Sequence, residues 1–170
     1  MYDYLLYFLI FSFLGWCAEV TFYIFKTGRF VNRGLAKGPF CPIYGVGISL
    51  SYFLLGGVKS FLLLAIFSMA ITTAVELFVG FVTDKILGVR LWDYSSEKGN
   101  IFGYVCPKFS IIWGVVCAAV IRLIPRLDGP LALARSPLGY TVTAIMLLLV
   151  LVDSEREIIK TINGSVRSKT

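Results

Sequence analysis

Long apolar stretches constrain this chain more than any other feature of its sequence. Five of them, at about residues 4–25, 39–57, 61–82, 101–121 and 138–152, reach or approach the roughly 20 residues that a helix needs to cross a bilayer. Hydrophobic residues make up 58% of the 170 residues and charged residues only 15%, which is too little charge to cover a soluble domain. The sequence therefore predicts an all-α integral membrane protein with about five transmembrane helices.

The absence of histidine and the spacing of the cysteines argue against several kinds of chemistry. The chain has no histidine, which excludes imidazole metal sites, Ser-His and Cys-His nucleophiles and histidine proton relays. Its four cysteines form no CxxC pair and stand in apolar surroundings, where a cysteine is an inert hydrophobe or, alternatively, a reactive thiol. We expect no metal site and no cofactor. The net charge of +6 follows from membrane orientation and does not indicate nucleic acid binding.

Lysine and arginine residues predict the orientation of the chain. If the N-terminus is outside, eleven of them fall in inside segments and four in outside loops, which favours an outside N-terminus and a cytoplasmic C-terminus. The first apolar segment lacks a basic start and a cleavage motif, so we expect it to remain as a helix. The fifth stretch is short, since fifteen residues rise only about 23 Å. It is expected to recruit part of 131–137 or to continue into the tail.

An internal duplication is the strongest pattern within the chain. Each copy has a helix with one glutamate, a loop ending in asparagine, and a second helix that opens with glycine and Cys-Pro. The predicted organisation is a transmembrane domain over 1–153, followed by a cytoplasmic tail over 154–170. The domain contains a first repeat at about 4–57, a second at about 61–121 and an extra helix at about 138–153. Because each copy crosses twice, the two repeats are parallel.

The duplication brings charged residues to one depth in the predicted membrane. Glu19 and Glu76 each stand six residues before the end of a predicted span, about 9 Å inside the boundary. Lys108 stands seven residues into span four from the same side. Charges at such depth are costly in lipid, so we expect the three to converge on a polar centre between the repeats, able to serve a cation, a proton or an amine-bearing ligand. The alternative is a structural ion-pair network that fixes helix packing.

Further polar and aromatic residues are predicted to line the same cytoplasm-facing site. The asparagines at the loop ends are expected to cap helices whose N-termini face it. Glycine and proline interruptions at matching positions of two halves are typical of a transporter binding site, whereas Cys-Pro at a helix start is the simpler interpretation. The residues predicted to bind substrate are Glu19, Glu76, Lys108, Tyr44, Asn32, Asn100, Asp93, Trp92 and Ser110.

These residues and their surroundings resemble one known family, the ABC-transporter type IV proteins, which are CmpB-like permeases of mostly anaerobic and Gram-positive bacteria. The resemblance implies a small permease-like protein of the bacterial inner membrane. Pro107 and Lys108 depart from the family's pattern. The matching motifs are Phe13-Leu-Gly-Trp-Cys-Ala-Glu19, Asn32-Arg-Gly-Leu, Gly38-Pro-Phe-Cys-Pro-Ile-Tyr-Gly45, Glu76-Leu-Phe-Val-Gly80, Leu91-Trp-Asp-Tyr-Ser95, Asn100-Ile-Phe-Gly103, and Cys106 through Ser110 to Trp113-Gly114.

Three functions fit the sequence, and a membrane transport or substrate-binding component is the first of them. The second is an intramembrane enzyme acting on a lipid or isoprenoid, since paired glutamates can supply an acid and a base. The third is a non-catalytic scaffold. No GxxxxGK[ST] motif occurs, so any ATP hydrolysis is expected from a partner chain. The expected partners are membrane lipids, an ATPase or other membrane subunit, and further copies of the chain.

Overall fold

The architecture comes from a computed structural model, which describes residues 2–32, 38–127 and 129–167, with side chains as far as residue 160. Arg33 and Lys37, two of the predicted inside charges, lie outside the described residues. Two short 3₁₀ helices, Ile124–Leu127 and Pro130–Arg135, lie between the last two α-helices. The α-helices are α1 (Tyr2–Thr27), α2 (Pro42–Leu55), α3 (Phe61–Lys85), α4 (Pro107–Leu123) and α5 (Pro137–Arg167).

Four of these helices are long and apolar enough to cross a membrane, namely α1, α3, α4 with its 3₁₀ extension, and α5. The remaining helix, α2, is apolar but has only 14 residues, about 21 Å of helix. The prediction of an all-α membrane protein with about five helices is thus confirmed. The short helix is the second one, however, and not the fifth, because α5 runs on for 31 residues into the tail.

The predicted start of the fourth span is wrong by six residues. Residues 101–105 form a tight turn closed by a bridge between Ile101 and Val105, and the helix begins only at Pro107. Proline suits this first position because its missing N–H has no partner in a helix's first turn. Within the turn, Phe102 has a φ of 54° and Gly103 a φ of 73°. These positive angles do not occur in a right-handed α-helix, so the helix cannot extend back through these two residues.

The chain divides into two compact units. The first comprises Met1–Val46 and Pro130–Thr170, and the second comprises Gly47–Gly129, so that α2 contributes its first residues to one unit and the rest to the other. In the first unit α1 packs against α5. The 3₁₀ helix just before α5 also contacts α1, since the Tyr2 hydroxyl donates to the carbonyl of Ala134 at 2.6 Å and Arg135 pairs with Asp3 at 3.0 Å.

The start of α2 packs closely on the middle of α1 within the first unit. The backbone N–H of Cys41 donates to the carbonyl of Ser12 at 2.9 Å. Gly45 lies so near Ser12 and Phe8 that a Cβ there would collide with both. Small residues at such crossings let membrane helices approach closely without a hydrophobic driving force.

In the second unit α3 and α4 form the main contact. Ser60 caps α3, accepting a hydrogen bond from the N–H of Leu63 at 3.4 Å. Gly114 of α4 lies against Met69, where an added Cβ would come within 2.6 Å of the Met69 Cβ. The core around this crossing consists of Leu64, Cys117, Ala118 and Ile121. All four cysteines of the chain are free thiols, and three of them are buried.

Candidate functional site

Glu19 and Tyr44 form a polar contact in the first unit. Glu19 stands eight residues before the end of α1, about 12 Å along the helix axis. The Tyr44 hydroxyl donates to the Glu19 Oε1 at 2.5 Å. Gly15, one turn before Glu19, leaves room for the tyrosine, because a Cβ at Gly15 would lie 2.6 Å from the Tyr44 Cβ. Two residues that the sequence predicted for one site therefore meet directly.

Asn32 lies between Glu19 and Tyr44 in the sequence but has a different role from the predicted helix cap. Its Oδ1 accepts a hydrogen bond from the Trp16 indole Nε1 at 2.7 Å, and α2 begins ten residues later, at Pro42. Trp16 stands three residues before Glu19 on α1, close to the same face. Asn32 thus ties the segment that follows α1 back onto the glutamate-bearing helix.

Glu76 and Tyr94 form the corresponding contact of the second unit. Glu76 stands nine residues before the end of α3, about 14 Å along the axis, and is only 8% exposed. Its Oε1 accepts a hydrogen bond from the Tyr94 hydroxyl at 3.0 Å. The Tyr94 ring stacks on Phe109 with centroids 4.8 Å apart. The first turn of α4 is therefore held near the level of Glu76, well short of the end of α3.

The segment between α3 and α4 is an ordered structure that presents Tyr94 to Glu76. The N–H of Tyr94 donates to the carbonyl of Gly103 at 2.8 Å, and the Trp92 indole donates to the carbonyl of Tyr104 at 2.7 Å. Asn100 accepts from the N–H of Gly103 at 3.0 Å and donates to the carbonyl of Glu97 at 2.9 Å. Trp92 and Asn100 thus brace the segment. The predicted capping role of Asn100 is wrong, since Cys106 occupies the N-cap of α4.

A cluster of polar and charged side chains stabilises the same segment between α3 and α4. The Asp93 Oδ1 accepts hydrogen bonds from the Ser95 hydroxyl at 2.5 Å and the Ser95 N–H at 2.9 Å, and Arg90 lies 3.5 Å away. These bonds, led by the hydroxyl and aided by the nearby guanidinium, hold the pKa of Asp93 below its ordinary value. The Tyr104 hydroxyl donates to Asp84 at 2.5 Å, which raises the pKa of that phenol.

Lys108 pairs with Glu97 and not with a helix glutamate. Its Nζ lies 3.2 Å from the Glu97 Oε1, and the two side chains are 60% and 32% exposed. Because α4 begins at Pro107, Lys108 belongs to the first turn of the helix. Glu97 was not among the predicted site residues, since eleven residues separate it from Lys108 and only the fold of the intervening segment joins them.

Ser110 lines an apolar groove of about 530 Å³ in the second unit, between α3 and the start of α4. The serine itself is 7% exposed. Thr73, three residues before Glu76, lines the same groove, and its hydroxyl oxygen is buried. The predicted site residue Ser110 is thus part of a cavity whose other walls are almost wholly apolar.

A family model described as Putative ABC-transporter type IV matches residues 6–156 of the chain. The chain belongs to this family. It is an ABC-transporter-type membrane component, as the sequence motifs predicted, and the matched residues include both glutamate–tyrosine pairs. Comparison with curated proteins and with solved structures finds no match.

The convergence of the charged residues is the part of the predicted site that stays a prediction. Glu19 belongs to the first unit of this ABC-transporter-type chain, whereas Glu76 and Lys108 belong to the second. Tyr94 is a functional candidate that sequence reasoning missed, because it was not among the residues predicted to bind substrate. Its position in the motif Trp92-Asp93-Tyr94-Ser95, next to two predicted site residues, was the signal for it.

Proposed function

We propose that the chain is the membrane subunit of a bacterial ABC-type transporter that binds a small organic cation at its glutamate–tyrosine pairs. ATP hydrolysis would come from a separate ATPase chain, since this sequence has no phosphate-binding loop. The subunit lies in the bacterial inner membrane, with its N-terminus outside and its C-terminus in the cytoplasm, where the positive-inside rule favours most of its lysines and arginines. Further copies or a second membrane subunit would complete the transport pathway.

The observation that carries this proposal is the environment of Glu76. Glu76 is only 8% exposed, stands on a helix long enough to cross the membrane, and accepts a hydrogen bond from a tyrosine hydroxyl. An ionised carboxylate near the centre of a bilayer costs roughly 2.5–3.5 kcal/mol. Polar groups at that depth mark substrate or ion pathways more often than they mark packing alone.

The chemistry of each pair suits a small organic cation, above all one that carries N–H groups. A carboxylate and a phenol oxygen both accept hydrogen bonds, and the carboxylate supplies the opposite charge. Hydrogen bonds that involve an ionised partner are roughly twice as strong as neutral ones. A hard divalent ion prefers six to eight oxygen ligands, which is more than one carboxylate and one phenol supply. An alkylammonium or amine is the class of ligand that these groups recognise best.

Titration of the intact chain in lipid nanodiscs tests the proposal. The probes are methylammonium, choline and putrescine, added separately to wild-type protein in a calorimeter. We expect at least one of them to bind, and we expect Glu76→Gln and Glu19→Gln each to weaken that binding by about 10- to 100-fold, because each removes a charge-assisted interaction. Tyr94→Phe should weaken it by less, at most about tenfold, since the carboxylate remains.

The matched control is Glu157→Gln, which removes a glutamate from the tail end of α5, where it pairs with Lys160 at 2.8 Å. This variant should bind the probes as the wild type does. If none of the three probes binds to folded wild-type protein, or if Glu76→Gln and Glu157→Gln bind them equally well, the proposal is wrong. The glutamates would then serve helix packing, as in the scaffold interpretation.

A further inference from the structure

The apolar groove of the second unit is a separate feature from the glutamate–tyrosine contact. One wall is formed by α3, including Met69, Thr73 and Leu77, and the other by the start of α4 with the turn before it, including Ile101, Pro107 and Ile111. Its volume of about 530 Å³ is within the range of small-molecule sites. Both of its helices are long enough to cross a membrane.

The lining of the groove indicates contact with lipid. Ile111 is 56% exposed and Ile101 is 49% exposed, and the walls carry almost no polar surface. On a helix that crosses a bilayer, an apolar side chain that is exposed within its own unit is suited to hydrocarbon. A concave apolar surface of this kind holds a flexible chain better than a flat helix face does, because more of the chain's surface is covered.

Two lysines adjoin this groove where Gly99 and Pro107 lie together, since a Cβ on Gly99 would come within 3.3 Å of the Pro107 Cγ. Two of the lining residues, Gly99 and Pro107, have a lysine as their immediate neighbour in the chain, Lys98 and Lys108 respectively. Lys98 is exposed, and the Lys108 side chain is 60% exposed. The positive end of the α4 dipole adds to the same charge, since α4 begins at Pro107. An apolar groove with lysines beside it matches an amphiphile that has an anionic head.

We propose that the groove binds one acyl chain of an anionic glycerophospholipid, with the lipid phosphate held by Lys98 and Lys108. The occupant is a membrane lipid because the lining is almost wholly apolar and two lysines adjoin it beside Gly99 and Pro107. An anionic headgroup is favoured over a zwitterionic one because a second, cationic headgroup charge would oppose both lysines. This site is independent of the cation proposed for Glu76.

Glu97 has a defined place in this arrangement. It competes with the lipid phosphate for Lys108, to which it is bonded at 3.2 Å. A pair as exposed as this one contributes little stability. The lysine can therefore exchange its carboxylate partner for a phosphate. Removal of the Glu97 charge should strengthen lipid binding. If the ion pair were purely structural, removal of Glu97 and removal of Lys108 would weaken lipid binding equally.

Native mass spectrometry of the full chain, released from mild detergent with added phosphatidylglycerol or phosphatidylcholine, tests the lipid site. We expect one phosphatidylglycerol per chain to be retained in preference to phosphatidylcholine. Lys98→Gln and Lys108→Gln should each weaken its retention by about fivefold, the effect of one lysine near an anionic headgroup. Glu97→Gln should strengthen it. Equal retention of the two lipids would overturn the proposal, as would weaker retention in Glu97→Gln.

A second pair of variants tests the groove itself and keeps the result independent of charge. Ala74 lines the groove and is exposed, so Ala74→Trp should fill the space and abolish retention of phosphatidylglycerol. Ala119 is exposed on α4 outside the groove, and Ala119→Trp should leave retention unchanged. Equal retention by the two tryptophan variants would contradict the assignment. Selective displacement of phosphatidylglycerol by a long-chain prenyl phosphate would identify a different occupant and overturn it as well.

Discussion

The two glutamates illustrate how far single residues could be predicted. A carboxylate in a long apolar stretch is a strong signal, because its cost in lipid requires a partner, and Glu19 and Glu76 were found on that ground. Tyr44 was also predicted, and it bonds to Glu19 at 2.5 Å. Tyr94 was not, since its contact with Glu76 spans 18 residues and depends on the fold of the segment between α3 and α4. Sequence spacing cannot reveal such a contact.

At the scale of single residues, we predict the effect of replacing Asp93. Its pKa is lowered by the Ser95 hydroxyl, the Ser95 N–H and Arg90, so the ionised carboxylate stabilises the segment at neutral pH, and this contribution is lost as the pH falls through the lowered pKa. Asp93→Asn should therefore speed hydrogen exchange at the amides of Tyr94 and Ser95 severalfold at neutral pH. The wild type should approach the variant as the pH falls below about 4.

Exchange mass spectrometry, corrected for the intrinsic pH dependence of exchange, measures the effect. Asp3→Asn is the matched control, because Asp3 pairs with Arg135 in the first unit and should leave these two amides unchanged. Exchange in Asp93→Asn that matches the wild type at neutral pH would show that the carboxylate does not hold the segment.

At the scale of elements, the existence of the helices was predictable and their ends were less so. Hydrophobicity alone placed the start of the fourth span at 101, whereas the chain turns at Phe102 and Gly103 and the helix starts at Pro107. Proline at a first helical position was the available signal. The length of α5 was foreseen as a continuation into the tail. The short length of α2 was not foreseen, because apolar residues outside a helix give the same hydrophobic signal as residues within it.

At the scale of elements, we predict the effect of crowding the crossing of α3 and α4. A Cβ added at Gly114 would lie 2.6 Å from the Met69 Cβ and 2.7 Å from the Ala65 carbonyl oxygen, so Gly114→Ala should cost about 1–3 kcal/mol through overpacking. The matched control is Gly47→Ala on α2, whose Cβ would meet only the Thr72 methyl at 3.6 Å. That change should be neutral or slightly stabilising, because alanine favours helix.

Thermal unfolding of the two variants in one detergent compares these effects directly. Gly114→Ala should lower the midpoint clearly below that of the wild type, and Gly47→Ala should not. If both variants unfold with the same midpoint temperature, the close approach of α3 and α4 would be refuted.

At the scale of the whole molecule, the predicted duplication places one glutamate in each half of the chain. The structure adds that each unit provides a tyrosine hydroxyl to its own glutamate, from helix α2 in the first case and from an ordered segment in the second. The central claim is that these carboxyl groups bind one class of cationic ligand. Their convergence on a single centre depends on how the two units come together, which local sequence patterns do not determine.

Carbodiimide labelling of the wild-type chain in native-lipid nanodiscs tests that claim most directly. N,N′-dicyclohexylcarbodiimide reacts with carboxyl groups in an apolar environment, and peptide mass spectrometry reports Glu19 and Glu76 separately. Both should be labelled in the absence of ligand, and both should be protected by whichever of methylammonium, choline and putrescine binds most tightly. Labelling of Glu19 and Glu76 that is unchanged by a saturating concentration of each of these three cations would contradict the account.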